Sequence, residues 1–410
     1  MKHSMREWKS RTRTYPRMEI RVLLLLLPFL FPDVAWAAFG KAPKVRVRVA
    51  HRLKNVLISG IDLQRKNLID KKTKLFKGNK SIRYNCHRLG FSARLDKSPV
   101  LLASLAGADN LIAHEQSVYK GDLHIITSTK QDSCDVILEI DIDLYISQLL
   151  SKEMNKEWPL EALKAQAIAA RTYAYHKMAS KQVNRQKGFE THYDLESSEK
   201  HQVGGDYSER NSRTDRAAIE TKGYILTTKK GNLTAIFFHA KCGGKTIRPD
   251  LAWKYKVEGY QGVKCPYCET HGMRPWQAKI SVSRLNDFLN WSGEKKHIIG
   301  MSNNSHDKSK DLPMIAPDRE SHSLLRMYRD GRAYLVAKSL LRKYFGRFKI
   351  SSNNFLIHKT SKAEYTIYGK GLGHGVGMCQ LGALDMAQRG WGFKKILAHY
   401  FPGHKLKKIY

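Results

Sequence analysis

From Leu160 to Lys181 the chain reads LEALKAQAIAARTYAYHKMASK without a glycine or a proline. Leu160, Leu163, Ala167, Ala170 and Ala174 recur at helical spacing and draw an apolar stripe along one side. Trp158-Pro159 leads into the stretch, and proline suits a first helical turn because the N–H it lacks has no partner there. The many alanines let neighbouring backbones come close. The pattern therefore predicts a long buried helix around which the rest of the chain must pack. The preceding DLYISQLLSKEM begins the same helical block.

Strand signals flank this block. VRVRV (45–49), NVLISG (55–60), DLHIITS (122–128) and CDVILEIDI (134–142) are rich in β-branched residues and several alternate apolar with polar. Lys77-Gly78 and Lys120-Gly121 supply turns. Beyond the helix, GYILTT (223–228) and LTAIFFHA (233–240) read as strands, and RMYRDGRAYLVAK reads as a hairpin about Asp330-Gly331. The polar stretch from Ser302 to Ser323 reads as a surface loop, and the Gly-rich GKGLGHGVGMCQLGALDMAQRGWG leads into a helical KKILAHYF. The expected class is α+β: a helical core with antiparallel strands and a β-rich N-terminal extension. Hydrophobic residues make up 42% and charged residues 27% of the 410, which fits a chain that buries a core and excludes a disordered one.

Residues 1–37 read as an export signal. Seven basic residues precede and border the apolar run VLLLLLPFLF, and Ala35-Trp36-Ala37 offers a small-x-small cleavage site. The run is short for a bilayer span and is interrupted by Pro28, which favours a cleaved signal over an uncleaved anchor. The mature chain is expected outside the cytoplasm, in the periplasm or cell wall. Residues 38–118 then form the β-rich N-terminal region and 119–410 the main domain.

Formal net charge is +35; residues 1–37 carry seven basic and three acidic side chains, so their removal leaves +31. A surface this basic seeks a polyanion. Export argues against nucleic acid and points to wall polymers, anionic headgroups or peptidoglycan carboxylates. The charge is spread along the chain, so it provides affinity rather than specificity.

Glu161 falls in the first turn of the long helix, away from the apolar stripe. A carboxylate there serves the helix simply by facing the positive end of its dipole. It is also a candidate general acid/base, because glycosidic cleavage needs a carboxyl that can protonate the leaving oxygen. One carboxyl suffices where the sugar's own 6-hydroxyl attacks and closes a 1,6-anhydro ring. The helix N-terminus favours the ionised form, so burial would have to raise the pKa. Glu153, in Ser-Lys-Glu-Met just upstream, is the second candidate.

His239-Ala-Lys-Cys242-Gly-Gly is followed by Cys265-Pro-Tyr-Cys268. A CxxC alone could be a disulfide or a redox pair. The added HxxC, after a strand and beside glycines, makes tetrahedral zinc held by His239, Cys242, Cys265 and Cys268 the better reading. Three thiolates and one imidazole close the site, so such a zinc would be structural. His271 is an alternative fourth ligand, and Cys379 reads as a small packed hydrophobe. In an exported chain a disulfide is open to any of the six cysteines, Cys86 and Cys134 included. Glycines at alternate positions of Gly373-His374-Gly375-Val376-Gly377 allow close backbone approach to a ligand or a tight turn. His374 and Gln380 are the side chains there that could hydrogen-bond a sugar, and Gln202 stands beside a turn.

Taken in order, these pieces resemble the family of stage II sporulation protein D and the amidase enhancers. EMNKEWPLEALKAQAIAARTYAY looks like its signature, and GKGLGHGVGMCQLGALDMAQRGWGFKKILAHYFPG looks like its closing motif. YDL…HQVGG, AAIETKGYIL, FFHAKCGGKT and LLRKYFGRFKISSNNF fall between them in the expected order, and the resemblance runs from about Tyr119 to the C-terminus. It implies a wall-located lytic transglycosylase acting on glycan strands stripped of stem peptides. It places the acid/base in the Glu153–Glu161 region, with Glu161 favoured because it heads the Glu-Ala-Leu-Lys-Ala-Gln motif. Lys164, Gln166, Arg171, Tyr173, Gln202, His374 and Gln380 become its substrate-binding residues, and members can hold zinc in the middle region. Three other readings compete: a non-catalytic glycan binder that recruits or stimulates a wall amidase, a zinc hydrolase, and a simple polyanion binder. A closed thiolate site disfavours the second of these, and two specific motifs disfavour the third.

Overall fold

The structure is a computed structural model that describes residues 42–67, 70–86, 100–127, 132–186, 192–197, 206–253, 255–270, 275–294, 300–303, 314–316, 324–329 and 332–410. The expected signal segment 1–37, Gln202, His271 and the Asp330-Gly331 turn lie outside the described residues.

The first strands are β1 (Lys44–Leu53), β2 (Asn55–Asn67), β3 (Thr73–Asn85), β4 (Leu101–Ala106), β5 (Leu111–His114), β6 (Ser117–Lys120), β7 (Asp122–Thr127), β8 (Cys134–Asp141) and β9 (Leu195–Glu196). They build one nine-stranded sheet in the order β6-β5-β2-β4-β7-β8-β1-β9, with β3 paired to the free side of β2. All pairings are antiparallel except β9 on β1. The alternation in VRVRV does its expected work: Val45 and Val47 are buried, while Arg48 reaches out to Asp135 at 3.0 Å and Glu196 at 2.7 Å. A Cys86–Cys134 disulfide ties the end of β3 to the start of β8. The junction between residues 118 and 119 falls inside β6, so strands from both sides of it share the sheet.

β8 runs directly into α1 (Ile142–Glu153), capped by Asp141, whose carboxylate accepts from the N–H groups of Asp143 and Leu144. After the Trp158-Pro159 turn comes α2 (Leu160–Gln186), and then α3 (Ser212–Glu220). As the sequence predicts, α2 is the buried centre: Ala162, Leu163, Ala165, Ala167, Ile168, Ala169, Ala170 and Ala174 are all fully buried. Its small side chains admit α1, α3 and the strand Tyr224–Thr228 at close range.

The remaining helices are α4 (Pro249–Ala252), α5 (Val282–Glu294), α6 (Lys338–Phe345), α7 (Gln380–Gln388) and α8 (Phe393–Tyr400). α7 and α8 also pack on α2. α5 and α6 share a separate apolar cluster around Leu285, Phe288, Leu341 and Ile367 with two small antiparallel sheets. One of those sheets contains the expected hairpin, Leu324–Arg329 paired with Arg332–Ala337. Met314–Ala316 adds a strand within the stretch expected as a loop, because it pairs with Leu324–Arg329.

The expected strand at 233–240 is largely not one. Only Phe238–His239 pairs, in parallel with Met378–Cys379, because the Phe237 N–H is taken by the Tyr260 hydroxyl at 2.8 Å. The C-terminal strand His404–Lys408 closes on Tyr224–Thr228. Among the described residues no helix is long and apolar enough to cross a membrane. The α+β class holds.

Candidate functional site

Helix α1 ends on Glu153, and the next residue, Met154, leaves the helical conformation. That ending delivers Glu153 to the wall of a cleft of about 1740 Å³. The volume exceeds the roughly 300–1000 Å³ of a small-molecule pocket. The same wall carries Tyr173 from α2 and Gln380, the first residue of α7. Gln380 Nε2 donates to the Glu153 carbonyl at 3.3 Å, which locks the end of α1 to the start of α7.

Aromatic rings line one side. Phe237 and Trp253 have centroids 4.8 Å apart, and Trp253 lies nearly parallel to Tyr255 at 5.9 Å. Tyr255 stays half exposed, so the stack presents an apolar surface to the solvent side. Arg342 of α6 contributes positive charge to the cleft.

The floor is built by His239, Asn353 and His374. His239 Nδ1 donates to the Val376 carbonyl at 3.0 Å, and His374 Nδ1 accepts from the Val376 N–H at 3.1 Å. The two rings lie 5.5 Å apart. Burial pushes His239 down to about 4 and holds His374 well below the ordinary imidazole value, so both are neutral at pH 7. Gly373 makes the approach possible: its φ is +108°, and a Cβ there would stand 2.9 Å from the His239 Cβ. The alternate glycines thus act as the sequence suggests, by letting a loop cross the floor.

Glu161, the carboxylate favoured from the sequence, does not line this cleft. Its Oε1 meets Lys164 Nζ at 2.7 Å and its Oε2 accepts from the Phe393 N–H at 2.8 Å, at the start of α8. Gly392 caps α8 without a side chain of its own, so Glu161 provides the missing acceptor. Lys164 also pairs with Glu220 at 2.6 Å. Arg171 is fully buried and clamps Asp143 Oδ1 (2.8 Å), the Ala218 carbonyl (3.1 Å) and the Tyr224 carbonyl (3.3 Å), joining α1, α3 and the strand behind. Gln166 is fully buried in α2. Of the expected substrate residues, the cleft therefore gathers Tyr173, His374 and Gln380, and leaves Lys164, Gln166 and Arg171 outside. Trp253, Tyr255, Arg342 and Asn353 line it without having been singled out; no local spacing marks them.

Behind the floor, the sulfurs of Cys242, Cys265, Cys268 and Cys379 all lie within 4.8 Å of one another, and all four residues are buried. The cysteine that joins the three expected ones is thus Cys379, and the expected ligand His239 is not in the group. Parallel pairing of Phe238–His239 with Met378–Cys379 brings Cys379 to the group, while the His239 ring hangs from Val376 over the cleft. The set suits a tetrahedral metal. Zinc–sulfur bonds of about 2.3 Å require sulfurs about 3.8 Å apart, and Cys242 and Cys268 stand at 3.5 Å. The N–H groups of Cys242 and Gly382 both point at Cys379 Sγ at 3.4 Å, and the Tyr400 hydroxyl lies 3.1 Å from Cys265 Sγ. Burial by itself pushes the Cys379 thiol up, and donors aimed at its sulfur, one at the N-terminus of α7, act the other way. Gly382 is required here, since a Cβ would fall 2.7 Å from Cys265 Sγ and collide with the Tyr400 hydroxyl.

The family model for stage II sporulation protein matches residues 130–228, which hold α1, α2, α3 and the strand Tyr224–Thr228. An uncharacterized protein of Brachyspira hyodysenteriae is 35% identical over 70% of this chain and 71% of its own length. Stage II sporulation protein D of Bacillus amyloliquefaciens is 28% identical over 64% of this chain and 73% of its own. The amidase enhancer of Bacillus subtilis is 26% identical over 63% of this chain, but the chain spans only 39% of that protein. By this family match and by these relatives, the chain belongs to the stage II sporulation protein D and amidase-enhancer family.

Proposed function

We propose that this protein is a lytic transglycosylase that cleaves peptide-stripped glycan strands of peptidoglycan, with Glu153 as its acid/base. The observation that carries the reading is the position of Glu153: an acidic residue at a helix end, lining a large cleft with stacked aromatics. Glu153 donates its proton to the bridging glycosidic oxygen as the C1–O bond breaks. The 6-hydroxyl of the same sugar forms the new C1–O6 bond, and its proton returns to the Glu153 carboxylate. The product is a 1,6-anhydro sugar, and no water is consumed. Trp253 and Tyr255 offer flat apolar faces for pyranose rings, and Arg342 offers a cation for the free lactyl carboxylate that removal of a stem peptide leaves.

Cys242, Cys265, Cys268 and Cys379 would hold a zinc ion. With four sulfurs the site is closed, so the metal would hold the cleft floor in place rather than activate water. Residues 1–37 would direct export and be removed, and the mature chain would act in the periplasm or cell wall; the Cys86–Cys134 disulfide suits an oxidising compartment.

The similarity to an amidase enhancer favours a second reading, a glycan-binding protein that recruits or stimulates a wall amidase without cutting the strand itself. The test is mass spectrometry of peptide-free glycan strands after incubation with the mature protein and with Glu153→Gln. Anhydro-sugar ends from the wild type alone support the enzyme and its acid/base. Strands bound but uncut by both proteins would sink the enzyme and leave the amidase partner.

A further inference from the structure

His239 and Asn353 each have one polar atom committed and one left over. The Val376 carbonyl can only accept, so His239 Nδ1 carries the proton and Nε2 holds a bare lone pair. Asn353 Nδ2 donates to the His374 carbonyl at 3.0 Å, which fixes the amide so that Oδ1 faces the other way. Both His239 Nε2 and Asn353 Oδ1 are buried and unpartnered, in residues only 4% exposed. Both residues line the cleft. A buried acceptor without a donor is costly unless a ligand completes it.

The chemistry of the missing partner is constrained. Both present a neutral acceptor: with Nδ1 donating to Val376, a second proton on Nε2 would find no acceptor there, and an amide oxygen carries none. The positive charge of Arg342 acts on both histidines and disfavours a cation in the same place. Neutral donors remain, and hydroxyl and acetamido N–H groups are what a sugar carries.

We propose that His239 Nε2 and Asn353 Oδ1 form a recognition subsite on the cleft floor that accepts hydrogen bonds from the hydroxyl and acetamido groups of an N-acetylated sugar. The inference rests on the glycan-cleaving reading and adds to it the residues that hold one ring in register. Neither side chain exchanges a proton with the substrate; both are positioning residues, and the SSNNF stretch acquires a role through Asn353.

The experiment measures binding of fluorescently labelled, peptide-free glycan strands in the Glu153→Gln background, so that strands are not consumed. His239→Phe and Asn353→Leu, each added singly, weaken binding about three- to tenfold, the range for one hydrogen bond. His239→Gln keeps an acceptor near the Nε2 position and regains most of the loss. Binding unchanged in both the Phe and Leu variants overturns the subsite while leaving the glycan reading intact. A Gln variant as weak as the Phe variant also overturns it, since the ring would then matter only for packing. Strands that fail to bind before either change overturn the subsite and the glycan reading together.

Discussion

Glu153 and Glu161 sit on either side of one short turn, and their surroundings divide their work. Glu161 spends both oxygens on Lys164 and the Phe393 N–H, a packing task between α2 and α8. Glu153 lines the cleft, and its backbone carbonyl accepts from Gln380. The family resemblance favoured Glu161, because a motif reports which residues recur together and not which way each one points. The expected consequence is a separation of effects. Glu161→Gln weakens the pairing with Lys164 and lowers unfolding stability by about 1 kcal/mol, the scale of a lost helix cap. It should leave anhydro-sugar production in place. Denaturant unfolding and product analysis of the one variant check both halves, and loss of product from a stably folded Glu161→Gln would return the acid/base role to Glu161.

At the scale of elements, legibility followed locality. α2 was readable because every signal for it lies within its own residues: a proline entry, an apolar stripe and no interruption. The strand at 233–240 was misread because its backbone partners are a distant tyrosine hydroxyl and the Met378–Cys379 pair, which no window of sequence contains. The last strand, His404–Lys408, is held the same way, and it makes the fold acid-sensitive. His404 opens that strand, with Nε2 3.0 Å from Thr234 Oγ1 and Nδ1 buried without a partner. Burial lowers it from 6.5 to about 4, with only Glu258 acting the other way. A depressed imidazole contributes its stability above the unfolded value and loses it as pH falls. The unfolded chain takes up the proton below pH 6.5 and the folded one only near 4, so stability falls across that window. The shift is worth at most about 3–4 kcal/mol. Thermal midpoints measured from pH 7 to pH 4 should therefore fall, and His404→Gln should flatten part of that slope. The buried His239 and His374 account for a remainder in the variant. Parallel curves for the two proteins would mean that His404 charges without cost to the fold.

For the whole molecule, the four sulfurs join what the chain order separates. Cys242 and Cys265–Cys268 come from the middle of the sequence, and Cys379 arrives with the closing motif to cap α7. The CxxC spacing made a cysteine cluster legible, whereas its fourth member was hidden because only strand pairing brings Cys379 into range. The cluster lies in the core shared by α2, α7 and α8, behind the cleft floor, so a metal there would be a staple on the cleft side of the fold. Two variants distinguish the donor sets. Cys379→Ser should abolish binding of one zinc per chain, measured by elemental analysis, while His239→Phe should retain it. Loss of a closed thiolate site removes several kcal/mol of folding free energy, and at about 2–4 °C per kcal/mol the thermal midpoint should drop by about 10 °C or more. Stripping zinc from the unfolded wild type and refolding it without metal should reproduce that drop, and added zinc should reverse it. Zinc lost from His239→Phe but kept by Cys379→Ser would reinstate the imidazole as the fourth ligand. In that case the lone pair on the cleft floor would belong to the metal and not to a sugar, so this one measurement also decides whether His239 is available to bind glycan.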